Sequence, residues 1–263
     1  MGRGIRLTAV SVATGLALLL FAGSASATYH LIKVREVSPG TNGDDDSYVE
    51  VQMYAPLQRY LSMGAKVAVC NSTCSIPPSV FTDFSDVGSA NTQDTVVFGD
   101  SGVPAGSKDF TVDLNLDAVE AGGAVCYVSE PTYTDCVSWG NFTGASTLTA
   151  DYDASADPGT PAPALTSGSA LRRSIAAGCP TLLESGDDTN DSAADFAAAA
   201  PDPRPNSVAP SETPCGSTPP PSGAPSQPGV SGVAKKKKKC KKHKKSSGNS
   251  PAYAAKKKCR KRK

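Results

Sequence analysis

Histidine is scarce in this chain, and its scarcity excludes much of the usual catalytic chemistry. Among 263 residues there are only two, His30 and His243. A Ser-His-Asp arrangement needs an imidazole held in place, yet both histidines lie close to the ends of the chain. The HExxH, GxSxG and phosphate-binding glycine motifs are absent as well. We therefore expect a protein that is not an enzyme and carries no cofactor.

Carboxylates leave one catalytic alternative open. Glu36, Glu50, Glu120 and Glu130 could supply the carboxylate pair of a secreted hydrolase, or of an accessory domain, acting on an extracellular polymer. No motif marks any two of them as partners. Two carboxylates facing each other in one cleft, with raised pKa values, would favour this alternative.

Long apolar runs are absent after residue 27, so no segment there is predicted to span a membrane. Residues 1–27 have the pattern of a secretory signal. Arg3 and Arg6 precede an apolar stretch, and Ala25-Ser26-Ala27 forms a small-x-small cleavage site. The alternative, a membrane anchor, needs a longer apolar core than this one. We expect a secreted, extracellular protein, with association to the cell wall as a further expectation.

Cysteine usage agrees with export. Six cysteines lie in the body of the chain and two, Cys240 and Cys259, in the C-terminal segment. An even number in an exported chain predicts disulfides, and six cysteines allow about fifteen pairings. The nearest-neighbour hypothesis pairs Cys70 with Cys74, Cys126 with Cys136, and Cys179 with Cys215. A zinc site at the CxxxC motif is disfavoured because histidine partners are lacking.

Acidic residues are absent from the C-terminal segment, residues 235–263, which contains sixteen basic ones. Residues 28–234 hold all twenty-five acidic residues and eight basic ones, a formal charge of −17. Such a basic run stays solvated and makes contacts rather than a fold. The predicted polyanion-binding residues are Lys235, Lys236, Lys237, Lys238, Lys239, Lys241, Lys242, Lys244, Lys245, Lys256, Lys257, Lys258, Arg260, Lys261, Arg262 and Lys263.

The partner expected for this tail is an anionic polymer or surface: a cell-wall polymer, lipid headgroups or extracellular DNA. Binding would depend on salt because each neutralised phosphate releases counterions. The alternative is intramolecular, with the cationic tail associating with the acidic body across a flexible linker. Both associations can occur in competition.

The remaining sequence predicts one domain, residues 28–207, followed by a linker at 208–234 rich in Pro, Ser and Gly. The expected fold is all-β, an immunoglobulin-like antiparallel β-sandwich, with a disordered linker and tail. Alternation of apolar and polar residues predicts sheets with one solvated face. The predicted strands are 32–35, 49–53, 66–70, 95–98, 110–116, 124–129, 137–139 and 171–174. A helix is predicted only at 192–200, before Pro201.

Four motifs follow one another in the C-terminal part of this domain. They are Gly168–Ser174 with its Leu-Arg-Arg, the Asp-rich Asp187–Ser192, the pair Asp195-Phe196, and Pro203-Arg-Pro-Asn206. This order resembles the C-terminal half of bacterial lamin-tail-like domains. Ile32–Val37 with Ser47–Val51, and Cys126–Val128 with Cys136–Asn141, are similar to the family's opening strands and later hairpin. The family's usual Gly-Trp is missing at Leu61–Gly64.

The resemblance covers about 175 residues and implies an immunoglobulin-like sandwich. The family shares no catalytic machinery, and its members are mostly regarded as binding or structural modules. The function expected here is a secreted, non-catalytic module tethered to an anionic surface by its tail.

The Asp-rich segment also raises the question of calcium. Asp187, Asp188, Asn190, Asp191 and Asp195 offer oxygen ligands, but their spacing is not that of an EF-hand. The preferred interpretation is a turn whose side chains accept bonds from backbone amides. Arg172 and Arg173 are predicted to pair with these carboxylates across the fold. Trp139 is predicted to be a core residue packed on a disulfide.

Overall fold

The structure, a computed structural model, describes residues 29–41, 45–75, 79–129, 133–175 and 177–215. The chain divides into two units, residues 1–217 and 218–263, and the second lies entirely beyond the described ranges. Of the predicted linker, only residues 208–215 are described. The rest of the linker, the predicted signal and the basic tail lie outside the described residues. All of the element bounds below belong to the first unit.

In the described ranges the chain forms ten strands and two short helices. The strands are β1 Ile32–Ser38, β2 Tyr48–Met53, β3 Ala65–Asn71, β4 Ser79–Phe81, β5 Thr95–Gly99, β6 Phe110–Thr111, β7 Gly122–Ser129, β8 Tyr133–Gly140, β9 Ala170–Arg173 and β10 Phe196–Ala199. The helices are α1 Ala145–Asp151 and α2 Ser192–Asp195, and short 3₁₀ turns lie between strands.

The strands form two sheets. The larger has the order β10-β9-β1-β2-β5-β6 and the smaller the order β4-β3-β7-β8. Neighbouring strands are antiparallel, except that β5 and β6 run parallel. Both sheets contribute to one apolar core, in which Val34 and Val51 of the larger sheet join Val67, Val125 and Val137 of the smaller. This is a β-sandwich, so the all-β prediction is confirmed at that level.

Three disulfides stabilise the sandwich, and they are the nearest-neighbour pairs. Cys70 bonds Cys74, Cys126 bonds Cys136, and Cys179 bonds Cys215. The second of these joins residues that lie directly opposite each other on β7 and β8. The predicted pairing is therefore confirmed.

Trp139 is a core residue, as predicted, but it does not pack on a disulfide. Its indole is fully buried and donates a hydrogen bond to the carbonyl of Val119 at 2.8 Å. On β8, Cys136 and Trp139 are three residues apart, and successive side chains in a strand point to opposite faces. The tryptophan therefore joins the core between the sheets, whereas the Cys126–Cys136 disulfide belongs to a separate cluster.

The segment 110–116, predicted as one strand, is a strand only through Thr111. Leu114 and Leu116 are buried as the alternation indicated. However, the backbone amide of Leu114 donates to the side chain of Asp100 at 2.5 Å instead of to a neighbouring strand. Asn115 then adopts a left-handed conformation, with φ of 51°, and a 3₁₀ turn follows. In this segment the alternation of apolar residues correctly indicates which side chains are buried, but it does not indicate a β-strand.

The predicted helix at 192–200 is also only partly correct. Helix α2 ends at Asp195, and the following residues form strand β10, which pairs with β9 along its whole length. Phe196 lies opposite Arg173 in this register, and its ring contacts the Arg173 guanidinium at 4.6 Å. Pairing with β9 thus overrides the helix propensity of the alanines.

The prediction of a solvated sheet face is wrong for β1, β2 and β5. Their polar residues Glu36, Glu50, Gln52 and Thr95 are all buried. The cover is the segment 200–215, which has no regular secondary structure and which we call the strap. The strap runs across the outer face of the larger sheet and ends at the disulfide-bonded Cys215.

Candidate functional site

Polar contacts concentrate in two places of the described sandwich: around Arg173 and beneath the strap. The Arg173 side chain is completely buried. Its Nη2 donates to both oxygens of Asp135 at 3.1 and 3.0 Å, and its Nη1 donates to Asp188 at 3.2 Å and Asp195 at 3.3 Å. One arginine therefore joins β9, β8 of the other sheet, the Asp-rich loop and α2.

Arg173 also completes the hydrogen bonding of β1 beyond the point where β9 ends. Its Nε donates to the carbonyl of Val34 at 2.8 Å, and the amide of Val34 donates to Asp135 at 2.5 Å. Lys33 adds a second cation by pairing with Asp188 and with Asp135, the latter at 3.7 Å. The arginine and its carboxylates thus take the place of a neighbouring strand.

Burial and charge shift the pKa values of Asp135 and Asp188 in opposite directions. Burial raises the pKa of Asp135 to about 6, although Arg173 and Lys33 act against it. The pKa of Asp188 is lowered. Its partial burial alone would raise the pKa, but the positive charges of Arg173 and Lys33 lower it by more. The group holds two cations and three carboxylates, so its charges are nearly balanced.

The calcium candidates are bound to partners within the protein. Asp188 and Asp195 pair with Arg173, and Asp195 also accepts bonds from the amide and hydroxyl of Thr189 at 2.9 and 2.7 Å. Asp187 accepts the amides of Ala177 and Glu184, and Asp191 caps α2 by accepting the amides of Ala193 and Ala194. Asn190 lies in a left-handed turn conformation.

These contacts match the preferred interpretation of the Asp-rich segment, a turn that accepts backbone amides. Within the described ranges, no group of three or more His, Cys, Asp and Glu side chains is arranged to hold a metal ion. The prediction that Arg172 and Arg173 pair with the carboxylates of the Asp-rich segment is confirmed for Arg173, which pairs with Asp188 and Asp195. It is wrong for Arg172, whose partner is Glu36 on the neighbouring strand β1. The Arg173 pairs are buried rather than exposed.

The strap is bound to the sheet by carboxylates that accept hydrogen bonds from its backbone. The backbone amides of Asp202, Arg204 and Asn206 donate to Glu36, Glu50 and Asp109, at 3.0, 2.8 and 2.9 Å. These acceptors lie on β1, on β2 and immediately before β6. Every second residue of an extended segment is thereby bound to the sheet below.

Proline explains why this arrangement leaves no donor unpaired. Residues 201, 203 and 205 are proline, and proline has no backbone N–H. In an extended segment, successive backbone amides point to opposite sides. The prolines occupy the positions whose amides would point away from the sheet, so every backbone N–H that remains points toward the sheet. The alternation is visible in the sequence, although its partners are not.

The strap is also held by its own arginine. The Arg204 guanidinium forms two bonds with the carboxylate of Glu212, at 2.6 and 2.8 Å, and a third with the carbonyl of Gln93 at 2.8 Å. Gln52 on β2 donates to the same carboxylate at 2.8 Å. Such a two-pronged pair is stronger and more specific than a single contact.

Beneath the strap, Glu36 and Glu50 form a pair. They lie directly opposite each other on β1 and β2 and line one cleft of about 260 Å³. Burial, with a further contribution from the charge of Glu36, raises the pKa of Glu50 to about 8. Glu36 accepts bonds from the Tyr48 hydroxyl, the Asp202 amide and the Arg172 guanidinium. The sequence contains both glutamates but nothing that pairs them.

The raised pKa of Glu50 predicts that the protein loses stability as the pH rises from about 4.5 to about 8. The folded state keeps the Glu50 proton up to about pH 8, whereas the unfolded chain releases it near the ordinary glutamate pKa of 4.5. The free energy of unfolding therefore falls between these two pH values, because the folded state binds more protons there. Asp135 likewise lowers the free energy of unfolding as the pH rises, between pH 3.8 and about pH 6.

Urea unfolding at pH 5 and pH 8.5 measures this effect. The wild type should lose on the order of 3 kcal/mol between these two pH values, and Glu50→Gln should lose much less. Glu120→Gln, at a half-buried glutamate on the turn before β7, is the matched control and should behave as the wild type does. Equal pH dependence in all three proteins would contradict the assignment to Glu50.

The sixteen predicted polyanion-binding residues of the tail lie outside the described part of the chain, so their placement stays a prediction. None of the helices that the structure describes is long and apolar enough to cross a membrane.

Comparison with known protein families, with curated proteins and with solved structures finds no match for this chain. The resemblance to lamin-tail-like domains therefore stays a prediction, which rests on the motifs of the sequence. Those motifs lie at β9, in the Asp-rich loop, at the junction of α2 with β10, and in the strap. They are the segments that contact Arg173 or cover the larger sheet.

Proposed function

We propose that this chain is a secreted, non-catalytic binding or structural module, which its basic tail tethers to an anionic surface outside the cell. The observation that carries the proposal is the sorting of charge, with sixteen basic and no acidic residues at 235–263. Lysine dominates this tail, which favours point-charge contacts over bidentate recognition. A cell-wall polymer, lipid headgroups and extracellular DNA all offer the required phosphates or other anions.

The fold supports a tethering role through the place where the linker leaves the sandwich. The last described residue is Cys215, and its disulfide to Cys179 ties the end of the strap to the body. Tension applied through the linker would therefore reach a covalent bond before it reached the hydrogen bonds of the strap. The three disulfides are also compatible with an extracellular protein.

The alternative from the sequence, a carboxylate-dependent hydrolase, has one observation in its favour. Glu36 and Glu50 share a cleft, and the pKa of Glu50 is raised to about 8. However, both side chains accept backbone amides of the strap, and a catalytic pair must be open to its substrate. The bound strap is the reason that we prefer the binding module.

The finer fold assignment belongs to the same proposal: an immunoglobulin-like sandwich of the lamin-tail type. Its support is that the Leu-Arg-Arg motif supplies both arginines that organise the larger sheet, Arg172 and Arg173. The Pro-rich motif supplies Arg204 and Asn206 of the strap.

The test compares residues 28–263 with a variant in which all sixteen tail cations are replaced by glutamine, which keeps the length of the chain. Binding to a teichoic-acid-type polymer, anionic vesicles and duplex DNA is titrated across a salt series. We expect the neutral tail to weaken binding about a hundredfold or more at low salt. The wild-type affinity should fall about a thousandfold between 50 and 200 mM salt if six or more phosphates are contacted.

Ranking the three polyanions at matched charge density identifies the partner. Equal binding by the wild type and the neutral-tail variant would contradict the proposal. A wild type that binds only above moderate salt would indicate that the tail associates with its own acidic body and is released by screening.

A further inference from the structure

A cavity lies beside the end of the strap, away from the Arg173 cluster and from the cleft that Glu36 and Glu50 line, and it shares Asp109 and Asn206 with the contacts of the strap. It has a volume of about 530 Å³, within the range of about 300–1,000 Å³ typical of small-molecule sites. Three segments form its walls: the loop at 85–94 that precedes β5, the start of β6, and residues 206–210 of the strap. The sequence predictions assign it no role.

The walls of this cavity are fixed to one another by Asn206. Its side chain accepts the amide of Ser89 at 2.7 Å and donates to the carbonyl of Thr95 at 3.1 Å, while its backbone amide donates to Asp109. Within the loop, Asp94 accepts the Ser89 hydroxyl at 2.6 Å and the Asn91 amide at 2.5 Å. A site formed in advance costs less to order when a ligand binds.

The polar lining consists of acceptors and hydroxyl groups. Asp86, Asp94 and Asp109 lie in the walls together with Asn91 and serines, and no lysine or arginine is among the described residues that line the cavity. Asp86 is exposed, and its Oδ2 accepts no bond from any described residue, whereas its Oδ1 accepts two from Ser62. This lining disfavours anions and favours a ligand rich in hydrogen-bond donors.

The apolar lining is an aromatic ring held in place. Phe110 packs against Phe98, with ring centroids 5.4 Å apart and an angle of 17°, and against Phe84 at 5.1 Å. Val87 and Pro210 extend the apolar surface beside it. A sugar ring combines the two complementary properties, because it has an apolar C–H face and an edge of hydroxyl donors.

We infer that this cavity binds one or two sugar rings of an extracellular glycan. The ring face lies on Phe110, and the hydroxyl groups donate to Asp86 and Asn91. This goes beyond the tethering proposal and does not depend on it, because the ligand is not a polyanion. A body that binds a glycan and a tail that binds an anionic polymer would together connect two different surface polymers.

Isothermal titration of the full chain tests the inference, in 0.5 M NaCl so that binding by the tail is screened. The probes are tetrasaccharides of glucose, N-acetylglucosamine and glucosamine, with spermidine as an amine that lacks a sugar ring. At least one tetrasaccharide should bind, and the three together distinguish neutral from amino sugars.

Two glycine variants supply a matched pair. Gly88 lines the cavity and Gly106 does not, and an added side chain at either position meets nothing within 4 Å. Gly88→Arg should weaken tetrasaccharide binding about tenfold or more because it fills the cavity and neutralises its carboxylates. Gly106→Arg, which adds the same charge, should bind as the wild type does. Equal thermal transitions of the two variants exclude unfolding as the cause.

Three outcomes would overturn the inference. One is that no tetrasaccharide binds the wild type. Another is that Gly88→Arg binds as tightly as Gly106→Arg does. The third is that spermidine alone binds, which would make the cavity a site for amines. None of these results bears on the tail, whose test uses polyanions at low salt.

Discussion

Arg173→Ala is expected to lower the free energy of unfolding by about 3–5 kcal/mol, the range measured when one partner of a buried ion pair is removed. The side chain is fully buried and pairs with three aspartates. Without it, Asp135 in particular would be left buried with Lys33 as its remaining cation at 3.7 Å. Since folded domains are stable by only about 5–15 kcal/mol, much of the protein should be unfolded at elevated temperature.

The neighbouring Arg172 provides a control in which the same residue type is removed one position away. Its side chain is 29% exposed and pairs with Glu36, which keeps its bonds to Tyr48 and to the Asp202 amide. Arg172→Ala should therefore cost only about 1–2 kcal/mol. Arg173→Lys should recover less than half of the loss, because an ammonium cannot reproduce the guanidinium's planar set of donors.

Urea unfolding monitored through far-UV circular dichroism and Trp139 fluorescence measures all three variants at pH 7. If Arg172→Ala and Arg173→Ala cost the same, the Arg173 cluster contributes no more than a surface pair. Full recovery by lysine would mean that charge alone, rather than the geometry of the donors, stabilises the junction of the two sheets.

Local patterns were sufficient to predict most of the strands and the disulfides. Strands β3, β5 and β7 are fully buried or nearly so, and their short apolar runs lie between turn signals, which the sequence displays directly. Cysteine proximity was a sound guide because Cys126 and Cys136 flank a single hairpin turn. For these strands and for the disulfides Cys70–Cys74 and Cys126–Cys136, the information lies within about ten residues of chain. The Cys179–Cys215 pair has a sequence separation of 36, and only the rule of pairing neighbouring cysteines predicted it.

Strand parity could have placed Trp139 correctly. Cys136 and Trp139 are three residues apart on one strand, so they cannot share a face, and this follows from the sequence alone. The expectation of a tryptophan packed on a disulfide came from a general feature of sandwiches, not from these positions.

The site beneath the strap could not be predicted in the same way. Glu36 and Asp202 are separated by 166 residues, and nothing near either residue specifies the other. Glu36, Glu50 and Gln52 alternate with apolar neighbours, which ordinarily indicates a solvated face. The strap changes that outcome, since its amides and Arg204 supply the donors that water would otherwise supply. The prolines at 201, 203 and 205 were the available signal.

Breaking the Cys179–Cys215 disulfide should release the strap. A double alanine variant at these positions opens a loop with a sequence separation of 36. The entropy that this loop removes from the unfolded chain corresponds to about 4 kcal/mol. The amides of Asp202, Arg204 and Asn206 should then exchange with deuterium much faster, because local opening no longer has to work against a closed loop.

The Cys70–Cys74 disulfide is the appropriate comparison because its sequence separation is only 4. Its removal should cost about 2 kcal/mol by the same relation and should leave exchange in the strap unchanged. Hydrogen exchange followed by mass spectrometry on peptides covering 200–215, combined with urea unfolding, gives both quantities.

Slow exchange in the strap after loss of Cys179 and Cys215 would show that the hydrogen bonds to Glu36, Glu50 and Asp109 retain it unaided. The role of the disulfide would then be to resist tension from the linker and tail, rather than to stabilise the sandwich. Fast exchange would instead mean that the covalent bond keeps the carboxylate pair covered. In that case an intact disulfide is what separates a closed binding module from one whose Glu36 and Glu50 face solvent.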